Sequence, residues 1–220
     1  VELFAQIVRR TRAPHERDHL RILIDNNPKV PGRMPAIFGT GESCLPELLR
    51  SARALRRAGA EFLVIPCVTV HYFHGALQKR TPIPILNIID ETVARVVRRH
   101  RGAKRVGVMA TTGAIHARLF DRAMSEARME LLVPTEKMQL YMMKAVAEIK
   151  RNGATKNAAA MARKVARTLL DAGADVVIAG CTELPLVLRD GDLPVPIVDP
   201  IAVLAEAAIA FAGGRVRARR

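Results

Sequence analysis

The chain contains no tryptophan, two tyrosines and six phenylalanines in 220 residues. Aromatic faces are the usual stacking platforms for single-stranded nucleic acid. Their scarcity matters because 35 Lys+Arg against 21 Asp+Glu would otherwise suggest a nucleic-acid partner. The arginines are scattered along helical stretches, as at Arg53, Arg56 and Arg57 and again at Arg95, Arg98 and Arg99. They read as a solvated face, and the charge is equally compatible with an anionic small substrate. No apolar run reaches the length of a membrane span. No secretory signal is visible, and three cysteines without paired spacing argue against a disulfide scaffold. A reducing, cytoplasmic location is expected. No G-x-G-x-x-G follows a strand, which argues against a dinucleotide site.

What is present is a repeat. Ala58-Gly59-Ala60-Glu61-Phe62-Leu63-Val64-Ile65-Pro66-Cys67 matches Ala172-Gly173-Ala174-Asp175-Val176-Val177-Ile178-Ala179-Gly180-Cys181. Each copy reads as a helix end, an acidic residue, a short apolar strand and a thiol. Thr69 and Thr182 follow closely. Further on, Pro82-Ile83-Pro84-Ile85-Leu86 with Asp90 matches Pro194-Val195-Pro196-Ile197-Val198 with Asp199.

Strand-like runs at 21–25, 105–110 and 129–133 alternate with helical patterns at 1–10, 45–58, 90–100, 114–127, 137–151, 156–172 and 200–212. The pattern predicts an α/β fold of two pseudo-symmetric domains, each a short parallel sheet flanked by helices. The helix at 200–212 corresponds to that at 90–100 and should return to the first half. The domains are then about 1–92 plus 200–220, and 93–199, with a basic, frayed tail at 215–220. The second half opens with a strand and a glycine-containing turn, whereas the first opens with a helix. Since Val1 is also not a Met, a strand preceding it is expected to be absent from the chain as given. That absence would leave an unpaired edge or exposed apolar surface.

Cys67 and Cys181 are expected at the carboxyl ends of parallel strands, where ligands bind in open α/β sheets. Each lies near the start of a following helix, which favours thiolate. One buried cysteine is unremarkable; two at matched positions of a repeat point to chemistry. Two facing thiols can take a proton from one side of a carbon and return one from the other. Other readings stay open on the residues alone. Cys67, His71, His74 and Cys181 could ligate zinc, though the spacing fits no common module. Cys67 could act alone as a nucleophile with His71 as base. Arg33, in a loop after a strand, could hold a carboxylate or sit on the surface. Thr111 and Thr112 could cap a helix, bind an anion, or do both. Cys44 has no counterpart and reads as structural.

The motifs resemble those of the aspartate/glutamate racemase superfamily, most closely its aspartate racemase branch, over nearly the whole chain. The resemblance rests on Asn26-Asn27-Pro28-Lys29-Val30-Pro31-Gly32-Arg33, Pro66-Cys67-Val68-Thr69-Val70-His71, Ala110-Thr111-Thr112-Gly113, Gly180-Cys181-Thr182-Glu183 and Val198-Asp199-Pro200. It implies a site in the cleft between the domains, a homodimer, and racemisation of aspartate or glutamate without pyridoxal phosphate, metal or nucleotide. Cys67 and Cys181 would match the catalytic pair. Arg33 would bind the side-chain carboxylate, and Lys150 or Arg151 would supply a second cation. Asn26, Val68, Thr69, Thr111, Thr112 and Thr182 complete the substrate-binding set. Val68 stands where the family's first motif carries asparagine, leaving other amino acids open as substrates. Alternatives within the fold are a cysteine-dependent isomerase or decarboxylase of a small dicarboxylate, or a non-catalytic carboxylate-binding protein.

Overall fold

Two parallel sheets flanked by helices form the framework of the computed structural model, which describes residues 1–218. In chain order the elements are α1 (Glu2–Arg10), α2 (Arg33–Ile37), α3 (Leu45–Arg57), β1 (Leu63–Val64), α4 (His74–Gln78), β2 (Ile85–Leu86) and α5 (Ile88–Arg99). They continue with β3 (Arg105–Val108), α6 (Thr112–His116), α7 (Asp121–Glu126), β4 (Glu130–Leu132), α8 (Glu136–Asn152), α9 (Lys156–Asp171), β5 (Val176–Ile178), β6 (Ile197–Val198) and α10 (Pro200–Phe211). Short 3-10 turns follow each thiol of the repeat, at Thr69–Phe73 and Leu184–Leu186. Among the described residues, no helix is long and apolar enough to cross a membrane.

The second sheet runs in the order β4-β3-β5-β6, all parallel. Its inner strands are apolar on both faces, as parallel strands covered on both sides must be. Val106, Val108, Val177 and Ile178 are fully buried. One face meets α5, α6, α7 and α10; the other is covered by Met142, Val146 and Ile149 of α8 and Val165 and Leu169 of α9. The first sheet pairs β1 with β2, as the second pairs β5 with β6. Gly59 and Gly173 end α3 and α9 at matched places, with φ of 96° and 88° that only glycine adopts without strain.

Residues 21–25 do not form a strand: the run is extended, has no ladder partner among the described residues, and leaves Ile24 63% exposed. Among the described residues, the position held by β3 in the second sheet has no counterpart beside β1. The helix expected over 114–127 is two helices, because Arg118 takes a φ of 52° and its N–H turns back to Ile115. The counterpart of Asp199 is Asn87 rather than Asp90. Each directly follows its strand and caps the next helix: Asn87 Oδ1 accepts from Ile89 N at 2.9 Å, and Asp199 Oδ1 from Ile201 N at 2.8 Å.

Helix α10 is buried nearly all round, and it packs against α1 and α5. An element apolar on every side belongs at the centre. Its one buried charge, Glu206, receives Arg10 Nη1 at 2.6 Å and Arg95 Nη2. The tail is pinned rather than frayed at its start. Val216 bridges Thr11, Arg12 N donates to Arg215 O at 2.7 Å, and Arg217 N donates to Arg10 O at 2.7 Å. Arg219 and Arg220 lie outside the described residues.

Candidate active site

Both cysteines of the repeat follow the carboxyl ends of equivalent strands, Cys67 after β1 and Cys181 after β5. The segments that carry them meet at one common turn, residues 110–113, where β3 passes into α6. On the Cys67 side the link is a pair of hydroxyls, Thr69 Oγ1 and Thr111 Oγ1, 2.8 Å apart. On the Cys181 side it is Gly180, where an added Cβ would sit 3.2 Å from both Met109 O and Ala110 Cβ. A side chain there would have to push the ends of β3 and β5 apart by a few tenths of an ångström.

Cys181 is 4% exposed and donates its thiol proton to Glu183 Oε2 at 3.0 Å. Burial first, then the charge and hydrogen bond of Glu183, push the thiol pKa well up against the opposing charge of Lys150. Burial alone would raise the Glu183 carboxyl too. Hydrogen bonds from Cys181, Lys150 and Thr182, with the charge of Lys150, bring it below the ordinary range. Thr182 Oγ1 donates to Glu183 Oε2 at 3.2 Å, and Lys150 Nζ lies 3.3 Å from Oε1. The resting pair is a neutral thiol on an ionised carboxylate.

Cys67 is half-buried beside Cys44, Val70 and Phe73. Helix α2 carries Arg33 and packs on both α6 and the 3-10 turn after Cys67. Met34 Cγ comes within 3.1 Å of where a Gly113 Cβ would stand. Arg33 is half-buried, and its charge draws the Cys44 thiol pKa down against the larger effect of burial, which raises it. Cys44 itself is fully buried and donates to Pro31 O at 3.2 Å.

Of the remaining candidates, Thr111 accepts from Ala114 N at 3.2 Å as the cap of α6. Thr112 Oγ1 accepts from Gln139 Nε2 at 3.3 Å. Val68 is 3% exposed and packs with Leu3, Ile88 and Ile89 in the main core, so its side chain is not on an open surface. Asn26 and Arg151 are exposed.

Three further residues belong with this cluster. Glu183 was visible in the Gly-Cys-Thr-Glu motif. Gln139 heads the buried row Gln139, Met142, Val146 and Ile149 on α8, a lone polar residue at core spacing. Its Nε2 also donates to Ala110 O at 2.9 Å, while Oε1 is buried without a protein partner among the described residues. His71 is the third. Burial first, helped by the neighbouring His74, lowers its pKa to about 4 against the Cys67 and Leu86 carbonyls and Asp90.

The His71 shift has a measurable sign. Above pH 6.5 the ring is neutral in both folded and unfolded chains, and it adds no pH dependence. Between 6.5 and about 4 the unfolded chain takes up the proton first, so stability falls as pH drops. The loss from this group is about 3 kcal/mol. Chemical denaturation at pH 7 and pH 4.5 should show a smaller acid loss in His71→Asn than in the parent.

The family model described as Asp/Glu/Hydantoin racemase matches residues 1–208. The broad specificity amino-acid racemase RacX of Bacillus subtilis is 24% identical over 162 residues, spanning 74% of this chain and 69% of that one. The Picrophilus torridus aspartate racemase superposes with a TM-score of 0.85 at 24% identity, covering 98% of this chain and 90% of that one. An aspartate racemase homologue from Pyrococcus horikoshii gives 0.76 at 23% identity, covering 96% and 94%. At these identities the structural likenesses speak for the fold.

Proposed function

The chain belongs to the Asp/Glu/hydantoin racemase family of isomerases, and on that premise we propose that it racemises aspartate or glutamate with Cys67 and Cys181 as paired acid and base. The observation that supports this reading is the matched place of the two thiols after equivalent strands, in segments that meet at one turn through Thr69 and Gly180. The α-proton of an amino acid is weakly acidic, so its removal without an electron sink needs a base on one face and an acid on the other. Cys181, held as a thiol, is the acid toward one enantiomer, and Cys67 is the base. The roles reverse for the other.

In this reading Arg33 takes the side-chain carboxylate. Thr69, Thr111, Thr112 and Thr182 offer hydroxyls to the α-carboxylate and amine. Charge developing on the carboxylate is stabilised most where water is excluded. The site lies between a first domain of 1–92 plus 200–220 and a second of 93–199. The packing of α10 against α1 supports its return to the first half, although α10 also covers one face of the second sheet, and a homodimer belongs to the same proposal.

Each enantiomer of aspartate and glutamate, incubated with the protein in deuterated water, tests it. The expected result is deuterium at the α-carbon with loss of optical purity. Binding without exchange would mean a carboxylate-binding protein, and release of carbon dioxide a decarboxylase. Of the two candidate cations, Lys150 reaches Glu183 beside Cys181, whereas Arg151 is exposed. Lys150→Met should lower kcat/KM about 10- to 100-fold, the worth of a charged hydrogen bond. Arg151→Met should stay near the parent in the same steady-state assay.

A further inference from the structure

The segment carrying Cys67 is weakly held by backbone. β1 is two residues long and pairs with β2 alone among the described residues, whereas β5, leading to Cys181, is paired on both sides. Cys67 N–H turns back only as far as Ile65 O, at 2.8 Å. Side chains must supply the bracing that the ladder does not.

His71 supplies it. The Ile88 N–H donates to Nε2 at 3.3 Å, so that nitrogen is the acceptor and the ring proton sits on Nδ1. Nδ1–H in turn donates to the Cys67 carbonyl oxygen at 2.8 Å. The ring is 6% exposed and stacks on His74, centroid to centroid 5.5 Å at 10°. His74 Nε2–H donates to Ile85 O at 2.9 Å. Both imidazoles thus fasten the turn after Cys67 to the end of β2 and the first turn of α5.

With both nitrogens engaged by backbone, His71 has no lone pair free for the thiol or for a metal ion. Protonating Nε2 would set an N–H against the Ile88 N–H, and burial separately disfavours the charged ring.

Resting on the assignment of Cys67 to the chemistry, we propose that neutral His71 is a positioning residue. It ties the Cys67 backbone to the amino end of α5 and so fixes the aim of the thiol, without exchanging a proton with it. A displacement of about 1 Å at a reacting group can cost on the order of 100-fold in rate. A small release of this tie therefore has a large readout.

Three variants separate the contacts. His71→Asn keeps a donor near the Nδ1 position, His71→Gln places an amide near the Nε2 position, and His71→Phe keeps only the ring. The measurements are kcat and KM for racemisation, the melting temperature, and the alkylation rates of Cys67 and Cys181 by iodoacetamide, resolved by peptide mass spectrometry. The expected result is a fall in kcat of at least about tenfold in the Gln and Phe variants. KM should be nearly unchanged, the alkylation rate altered at Cys67 and not at Cys181, and His71→Asn should restore most of both properties. The proposal is overturned if folded His71→Asn is as impaired as His71→Gln, if Cys67 alkylation is unmoved in every variant, or if both thiols respond alike. Should the parent fail to racemise, the functional reading fails. The alkylation pattern still decides whether His71 holds Cys67.

Discussion

Racemisation is expected to fall by roughly 10²- to 10⁴-fold when either Cys67 or Cys181 is replaced by serine. A hydroxyl is a far weaker acid than a thiol and a poor proton carrier near neutral pH. The two variants remove different halves of the cycle. At Cys181 the present arrangement is a buried thiol on the Glu183 carboxylate, so Cys181→Ser retains a donor for Oε2 and the fold should persist. Cys67 is half-buried, and its serine variant should also melt close to the parent. Chiral chromatography of each enantiomer after incubation, beside melting curves, checks both points. A parental rate in either variant would remove that cysteine from the chemistry.

The second large effect concerns stability. Glu206 is buried on α10 and holds two guanidinium groups, Arg10 from α1 and Arg95 from α5. Replacing it by alanine leaves those cations facing each other across a partly buried gap. Removing one partner of such a buried set typically costs about 3–5 kcal/mol, and Glu206→Ala should lose stability on that scale. Urea denaturation reads it as a lower midpoint with an unchanged slope. Replacing Arg10, Arg95 and Glu206 together by apolar residues should recover most of the loss, because no stranded charge remains. If the triple variant is as unstable as Glu206→Ala, the cost lies in packing instead.

Repetition made much of the molecule legible before any coordinates. The Ala-Gly-Ala helix ends, the short apolar strands and the thiols after them share one spacing, and β1 with β2 mirrors β5 with β6. The long helices α8 and α9 were visible because each carries an apolar period over several turns, and α10 because it matches the helix at 90–100 in the repeat. Features that periodicity cannot register were lost. Helix α2 is five residues long and includes Pro35, too short to show a period. The break at Arg118 depends on a single left-handed residue, which is not a glycine. Val68 lies immediately after the thiol, yet its side chain enters the core while Thr69 meets Thr111, because the 3-10 turn there separates neighbouring residues. His71 was read as a base or ligand from its spacing to Cys67, which gives proximity but not which nitrogen meets which group. A single polar residue in a core row, such as Gln139, carries no sequence signal that sets it apart from a neutral exception.

The place of α10 also bears on the order of events in folding. Helices α1 and α5 close on a helix that begins at residue 200, and Thr11 pairs with Val216. Residues 1–12 therefore depend on residues 200–217 for their packing, whereas the strands of the second sheet lie within residues 105–198. Contacts so distant in sequence are slow to form. The strands of the second sheet can therefore pair before residues 1–12 dock on α10 and on residues 215–217.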